Sequence, residues 1–142
     1  MSTKIRVFHL LHIAHASLFR AADRVMRSQE GITTAHQVIL FTLNAEDGLS
    51  ASEVAKRAGH SKSRLTNLVD TLESREMVQR RTSDEDRRVH TLHITKSGRE
   101  LIRRHTKRIQ KMNEHILAPF DTSERKVISD FLEHVRREAE KI

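Results

Sequence analysis

The chain has 142 residues, with 26 Lys or Arg against 19 Asp or Glu, a formal net charge of +7, and no cysteine. That length suits one domain with a core, and the basic balance suits nucleic acid or an anionic membrane surface. The missing cysteines exclude disulfides, thiolate catalysis and thiol redox sensing, and no apolar run approaches the roughly 18 residues of a membrane span.

Met1-Ser2-Thr3-Lys4, followed by Arg6, His9, His12 and His15, has no signal-peptide layout, so a cytoplasmic location is expected. Residues 4–28 then read as one long helix. Arg6, His9, Arg20, Arg24 and Arg27 share one sector of the helical wheel. Most of the remaining circumference is apolar, with Ile5, Phe8, Leu11, Ala14, Leu18, Ala22, Val25 and Met26. A helix so broadly apolar needs partners on more than one side, and a second subunit is a natural source. Gly31 breaks the pattern. Thr33 or Thr34 caps a second helix with Val38, Ile39, Leu40 and Leu43 inward, which Asp47-Gly48 ends.

Ser50 is an N-cap candidate with Glu53 three residues later, as in a capping box. The third helix is then 51–58, burying Val54, Ala55 and Ala58. Gly59 turns the chain, and Ser61 caps a fourth helix to about residue 75, with Leu65, Leu68, Val69 and Leu72 inward. Two short helices joined by a Gly-containing turn make a helix-turn-helix. Residues 77–81 read as a strand, 82–87 as a loop and 88–95 as a second strand. In the latter, Val89, Thr91, His93 and Thr95 alternate with Arg88, His90, Leu92 and Ile94. A fifth helix runs over about 96–117 with the stripe Leu101, Ile102, Ile109, Met112 and Ile116, and Pro119 stops it. Asp121 or Thr122 caps a sixth, whose apolar residues are Val127, Ile128, Phe131, Leu132 and Val135. The predicted fold is mainly α with a small β-hairpin wing. It is one domain over 1–142, with a winged helix-turn-helix at about 33–95 flanked by dimerisation helices at about 4–28 and 96–142.

A winged helix reads duplex DNA with the second helix of its helix-turn-helix. Opposite its apolar stripe, the fourth helix presents Ser63, Thr66, Asn67, Asp70 and Ser74, with Lys62 and Arg64 beside its first turn. Free N–H groups at that helix start, next to Ser61, suit a phosphate. Arg64 matches guanine and Asn67 adenine, whereas Lys62 suits a phosphate. Arg87 and Arg88 at the hairpin tip suit the negative potential of a narrow minor groove. Arg80 and Arg81 are further phosphate candidates, as are Ser50 and Ser52. A solvated helix face and a surface ion pair are the plainer readings of these charges, and the wing together with the net charge favours DNA. With five Phe and no Trp or Tyr, the chain lacks a stacking platform for single strands.

The sequence resembles the MarR family of bacterial transcription regulators along almost its whole length. The specific part is residues 61–98. Ser61-Lys62-Ser63-Arg64-Leu65-Thr66-Asn67-Leu68-Val69-Asp70-Thr71-Leu72-Glu73 matches the recognition helix, and Met77-Val78-Gln79-Arg80-Arg81 the first wing strand. Asp86-Arg87-Arg88, then Ile94-Thr95 and Gly98, match the wing signature. The resemblance implies a homodimer built from the N- and C-terminal helices, a palindromic double-stranded DNA site, and often a small anionic or aromatic effector that releases the DNA. It also implies that Asp86 orients a wing arginine, best placed as Arg88. One departure is Glu76, where the family commonly has glycine; a different helix end is expected there.

Ten histidines is a high density for this length. His12 and His15 fall among Phe8, Phe19 and Met26, His105 inside the stripe of helix five, and His36 on the inner side of helix two. In similar proteins these helices surround the effector pocket, so Phe8, His12, His15, Phe19, His36 and His105 form the candidate effector set. Three readings stand: hydrogen-bonded core or interface residues, an anion pocket, or a zinc site. Zinc wants about four ligands, and no carboxylate sits beside His12 or His15 at helical spacing. No metal and no cofactor are therefore expected. The leading function is a DNA-binding, ligand-responsive repressor. The alternatives are a zinc-responsive regulator and, in a different class, a winged-helix module for protein or RNA. An enzyme is not expected, since the chain has no Gly-rich phosphate loop and no paired carboxylates in a plausible pocket.

Overall fold

Six helices and one hairpin follow each other along residues 4–142, the part described by the structure, a computed structural model. They are α1 (Val7–Glu30), α2 (Thr34–Ala45), α3 (Ala51–Ala58), α4 (Lys62–Ser74), β1 (Val78–Thr82), β2 (His90–Ile94), α5 (Lys96–Leu117) and α6 (Thr122–Ala139). Met1, Ser2 and Thr3, read above as part of the N-terminus, lie outside the described residues. Among the described residues no helix is long and apolar enough to cross a membrane. The chain divides into two compact units, one reaching Arg103 and the other running from Arg104 to Ile142.

The first unit has its own core. Met26 of α1 and Ile32 join Ile39, Leu40 and Leu43 of α2, Val54 and Ala55 of α3, and Leu65, Val69 and Leu72 of α4. The hairpin adds Val78, Leu92 and Ile94, and the first turns of α5 add Leu101 and Ile102. These are most of the apolar stripes expected from sequence, now facing one another; Val38, expected inward on α2, is instead 39% exposed, and Ala58 and Leu68 are only partly buried. In β2 the buried pair is Leu92 and Ile94, two apart on the same face of the strand, as strand geometry requires.

The helix starts follow local chemistry. The Ser50 side chain accepts from the Glu53 N–H at 3.2 Å, and that of Ser61 accepts from the Arg64 N–H at 3.2 Å. The expected capping box at α3 is only half built. The Glu53 carboxylate turns to Arg57 at 2.8 Å, an i,i+4 partner, instead of reaching back to the cap. A full capping box forms at α2, where His36 Nδ1 accepts from the Thr33 N–H at 3.0 Å. Asp23 of α1 adds to this helix start by accepting from the Thr34 N–H and hydroxyl, at 2.8 and 2.6 Å. The Thr34 hydroxyl, above all, holds the Asp23 carboxyl below its ordinary value.

Two junctions differ from expectation. Glu76 was expected to end α4 differently, but it adopts the left-handed conformation (φ 60°) that glycine would supply. The reason lies beyond the local sequence. The next two residues, Met77 and Val78, are buried, and the Met77 N–H closes onto the Leu72 carbonyl at 2.9 Å. Core packing holds a backbone state that costs a non-glycine residue about 1–2 kcal/mol. The second difference is a third extended segment. Leu49 and Ser50 pair with β2 through a bridge between Ser50 and Thr91, and the Leu92 N–H donates to the Leu49 carbonyl at 2.8 Å.

The start of α5 is fixed to the start of β1. Thr95 donates its hydroxyl to the Glu76 carbonyl at 2.6 Å and accepts from the Gly98 N–H at 3.1 Å. A Cβ on Gly98 would stand 2.5 Å from the Met77 carbonyl oxygen, so only glycine fits this approach. The Gly98 of the wing signature therefore serves packing.

The second unit is different in kind. Asp121 and Glu124 form a capping box at α6, and Arg125 donates to the Leu117 and Phe120 carbonyls, both at 2.8 Å. α6 buries no residue. Ile116, Phe120, Val127, Phe131 and Leu132 are exposed apolar side chains here. On α1 of the first unit, Phe8, Leu10, Ile13, Leu18 and Phe19 are exposed likewise, Phe8 to 89%.

Candidate nucleic-acid interface

The candidate interface rests on α4 and the hairpin, both anchored in the first core. Burial of Leu65, Val69 and Leu72 turns the opposite face of α4 outward. Lys62, Ser63, Arg64, Thr66, Asn67 and Asp70 are all exposed there. The Ser61 hydroxyl is the N-cap, and Thr66 donates back to the Lys62 carbonyl at 2.9 Å. Among the described residues Lys62 and Arg64 have no carboxylate partner, and no side chain takes up the Asn67 amide. The first two turns of α4 thus offer two uncompensated cations and one free amide.

The hairpin is antiparallel, with Arg80 opposite Leu92 and Thr82 opposite His90. Residues 83–89 form the tip. The Asp86 carboxylate accepts from the Arg88 N–H at 3.0 Å and meets Arg88 Nε at 3.3 Å. The turn is closed by the Val89 N–H on the Asp86 carbonyl at 3.0 Å. Asp86 therefore orders the Arg88 backbone and the root of its side chain, while the side chain stays 92% exposed. Arg87 has no partner among the described residues. Arg81 makes one long contact, Nη2 to Gln79 Oε1 at 3.5 Å.

Arg80 is placed differently from its neighbours. Its guanidinium meets Asp70 at 2.7 Å and Glu73 at 3.0 Å, so its charge is already taken up by α4.

Two anchoring residues were not singled out from sequence. Asp47, read only as part of a helix stop, accepts from the Ile94 N–H at 2.8 Å and faces His93 and Arg99 at 3.7 and 3.8 Å. Arg75 lays its guanidinium over Gly31 and donates to the Glu30 carbonyl at 3.4 Å, at the end of α1. Neither contact has a local signature, because the partners are distant in sequence.

The candidate effector residues are dispersed. His15 stacks on Phe19 with ring centroids 4.3 Å apart, on the exposed surface of α1 with Phe8 and His12. His36 is half-buried and spends Nδ1 on the α2 cap. Burial, then the nearby Arg75 and Arg64, lower its pKa from the ordinary 6.5. His105 is buried in the second unit. Among the described residues no three His, Asp or Glu side chains gather as metal ligands.

A MarR family sequence profile matches residues 30–89, from the end of α1 to the wing tip. The HTH-type transcriptional regulator YdgJ of Bacillus subtilis is 30% identical over 106 residues, 75% of this chain and 65% of YdgJ. The chain belongs to the MarR family. Two solved structures extend the likeness over nearly the full length. Streptococcus pneumoniae FabT in complex with DNA superposes with a TM-score of 0.81 at 23% identity, covering 96% of each chain. The Streptomyces coelicolor regulator PcaV, in complex with its natural ligand, superposes with a TM-score of 0.71 at 28% identity, covering 98% of this chain and 99% of PcaV. Family and fold are accordingly those of winged-helix transcription regulators and not of enzymes. This MarR-family chain spans less than two thirds of YdgJ.

Proposed function

We propose that this MarR-family protein is a cytoplasmic homodimer that binds a palindromic operator as a repressor and is released by a small ligand. The observation that carries the reading is a division of labour. The first unit has a complete core and presents unpaired Lys62, Arg64, Asn67 and Arg87, with Arg88 oriented at its root by Asp86. The apolar residues of α1 and of the second unit lie open, as on a surface awaiting a second copy. Arg64 and Asn67 read base edges, Lys62, Ser61, Ser63, Thr66 and Arg81 contact the backbone, and Arg87 and Arg88 enter the minor groove. The effector is a small organic anion, an aromatic one by the character of Phe8, His12, His15 and Phe19 on α1. His36 contributes to the helix cap instead. The ligand carried by PcaV supports the general idea of effector control. An effector acts only through a difference in affinity between DNA-competent and DNA-incompetent states.

The test is selection of bound duplexes from a genomic pool, followed by titration of the recovered site. Specific binding should weaken steeply with salt. Arg88→Ala should weaken it more than about tenfold, and Asn67→Ala should change base preference at about 1–3 kcal/mol. Wild-type binding by Arg88→Ala would remove the wing from the interface. Release by aromatic acids supports the effector class, and release or binding governed by zinc would replace it with a metal sensor.

A further inference from the structure

The helix that must approach a polyanion carries two carboxylates, Asp70 and Glu73, with side chains 58% and 42% exposed. Left alone they would oppose DNA. Arg80 of β1 reaches across to both. Its Nη2 lies 2.7 Å from Asp70 Oδ1 and 3.4 Å from the Thr66 carbonyl, and its Nη1 lies 3.0 Å from Glu73 Oε1. Its backbone N–H donates to Glu73 Oε2 at 3.2 Å. Glu73 thus grips both ends of Arg80, and the fork spans Thr66, Asp70 and Glu73, one stripe along two turns of α4. The side chain is 28% exposed, much less than the 92% of Arg88.

We propose that Arg80 is a positioning residue for DNA readout: its fork fixes the rotation of α4 against the wing and neutralises the two carboxylates on that helix. This rests on the DNA-reading role given above. Rotation about the helix axis decides whether Arg64 and Asn67 face base edges, and a planar fork with two carboxylates and a carbonyl constrains that rotation. A lysine supplies the charge without the fork.

The experiment measures binding of the full chain to its selected duplex and to a scrambled duplex. The variants are Arg80→Lys, Arg80→Gln, Asp70→Asn/Glu73→Gln and the triple variant combining the last two. Melting curves on each sample show which are folded. Arg80→Gln should lose at least tenfold in affinity for the selected duplex and a smaller factor on the scrambled one, where only the uncovered carboxylates act. The triple variant should recover a large part of that loss, with a salt slope matching wild type. Arg80→Lys, which keeps a cation and is the milder change if Arg80→Gln fails to fold, should bind the scrambled duplex normally and lose discrimination.

The proposal is overturned if Arg80→Lys discriminates like wild type. It is also overturned if the triple variant binds as weakly as Arg80→Gln with a salt slope reduced by about one, the mark of a lost phosphate contact. A wild-type protein that prefers no duplex sequence would instead sink the DNA-reading role itself, and this one with it.

Discussion

The two units of this chain solve the burial problem in opposite ways. The first closes a core from α1, α2, α3, α4, the hairpin and the start of α5, with Ile39, Leu40, Leu43, Leu72 and Leu101 fully buried. The second buries His105 but nothing on α6, and leaves Val127 68% and Leu132 50% exposed. The difference teaches where each part gets its stability. The helix-turn-helix and hairpin share a closed core, whereas α1 and the helices beyond Arg104 carry apolar surface that a single copy of the chain leaves uncovered.

Breaking the first side of that contrast should have the largest effect. Leu72→Ala removes a fully buried side chain at the back of α4 and should cost about 2–5 kcal/mol in chemical denaturation. The second side breaks with Val127→Asp/Leu132→Asp. Those positions are already open to solvent, so the thermal transition of the first unit should persist while sedimentation shows monomer. Operator affinity should then fall about a hundredfold, because two recognition helices no longer act together. A stable dimer after this change would place the subunit contact elsewhere.

Smaller changes sharpen the picture of the first unit. His36 is an acceptor in the α2 capping box only while Nδ1 is unprotonated. Its lowered pKa means that protonation favours the unfolded chain. Its contribution is therefore present above about pH 6.5 and is lost as pH falls through the lowered folded value. His36→Gln keeps an acceptor at this position of the box. It should flatten the stability profile between about pH 7 and pH 5, by comparison of melting curves. The smallest effect is expected at Glu76→Gly. Relief of the left-handed strain, about 1–2 kcal/mol, is offset by the greater chain entropy of glycine, about 0.5–1 kcal/mol, for a net gain of at most about 1.5 kcal/mol.

What the sequence revealed tracks how local each feature is. Ser50 and Ser61 were readable as caps because a cap is a side chain bonding to a backbone three residues on. The 51–58 helix, the stripe of α4 and the Ile39, Leu40 and Leu43 stripe of α2 followed from spacing alone, whereas Val38, one position out of phase, faces solvent. The Leu49–Ser50 pairing with β2 was not readable, since two residues give no alternation and the partner lies some forty positions away. Arg80 illustrates the same limit at the interface. Its sequence shows a cation next to another cation, and only the fold brings Asp70 and Glu73 to it. His36 likewise read as a pocket residue because helical phase gives a direction but not the hydrogen bond waiting there. For Glu76 the local rule gave the wrong helix end because burial of Met77 and Val78 outweighed it.

The wing tip holds a backbone in place and leaves its cations open to solvent: Asp86 secures the Arg88 N–H, yet the arginine side chain is 92% exposed. On the proposed reading, such exposed cations would extend the capture radius for DNA before any base is read. Salt should therefore act chiefly on the speed of arrival at DNA, through Arg87 and Arg88. On the same proposal the residence time on a given sequence would belong to α4, whose orientation is set by the core behind it and by the Arg80 fork. On the proposed reading, search and recognition fall to different elements, the hairpin tip and α4, so that selection could tune either without disturbing the other.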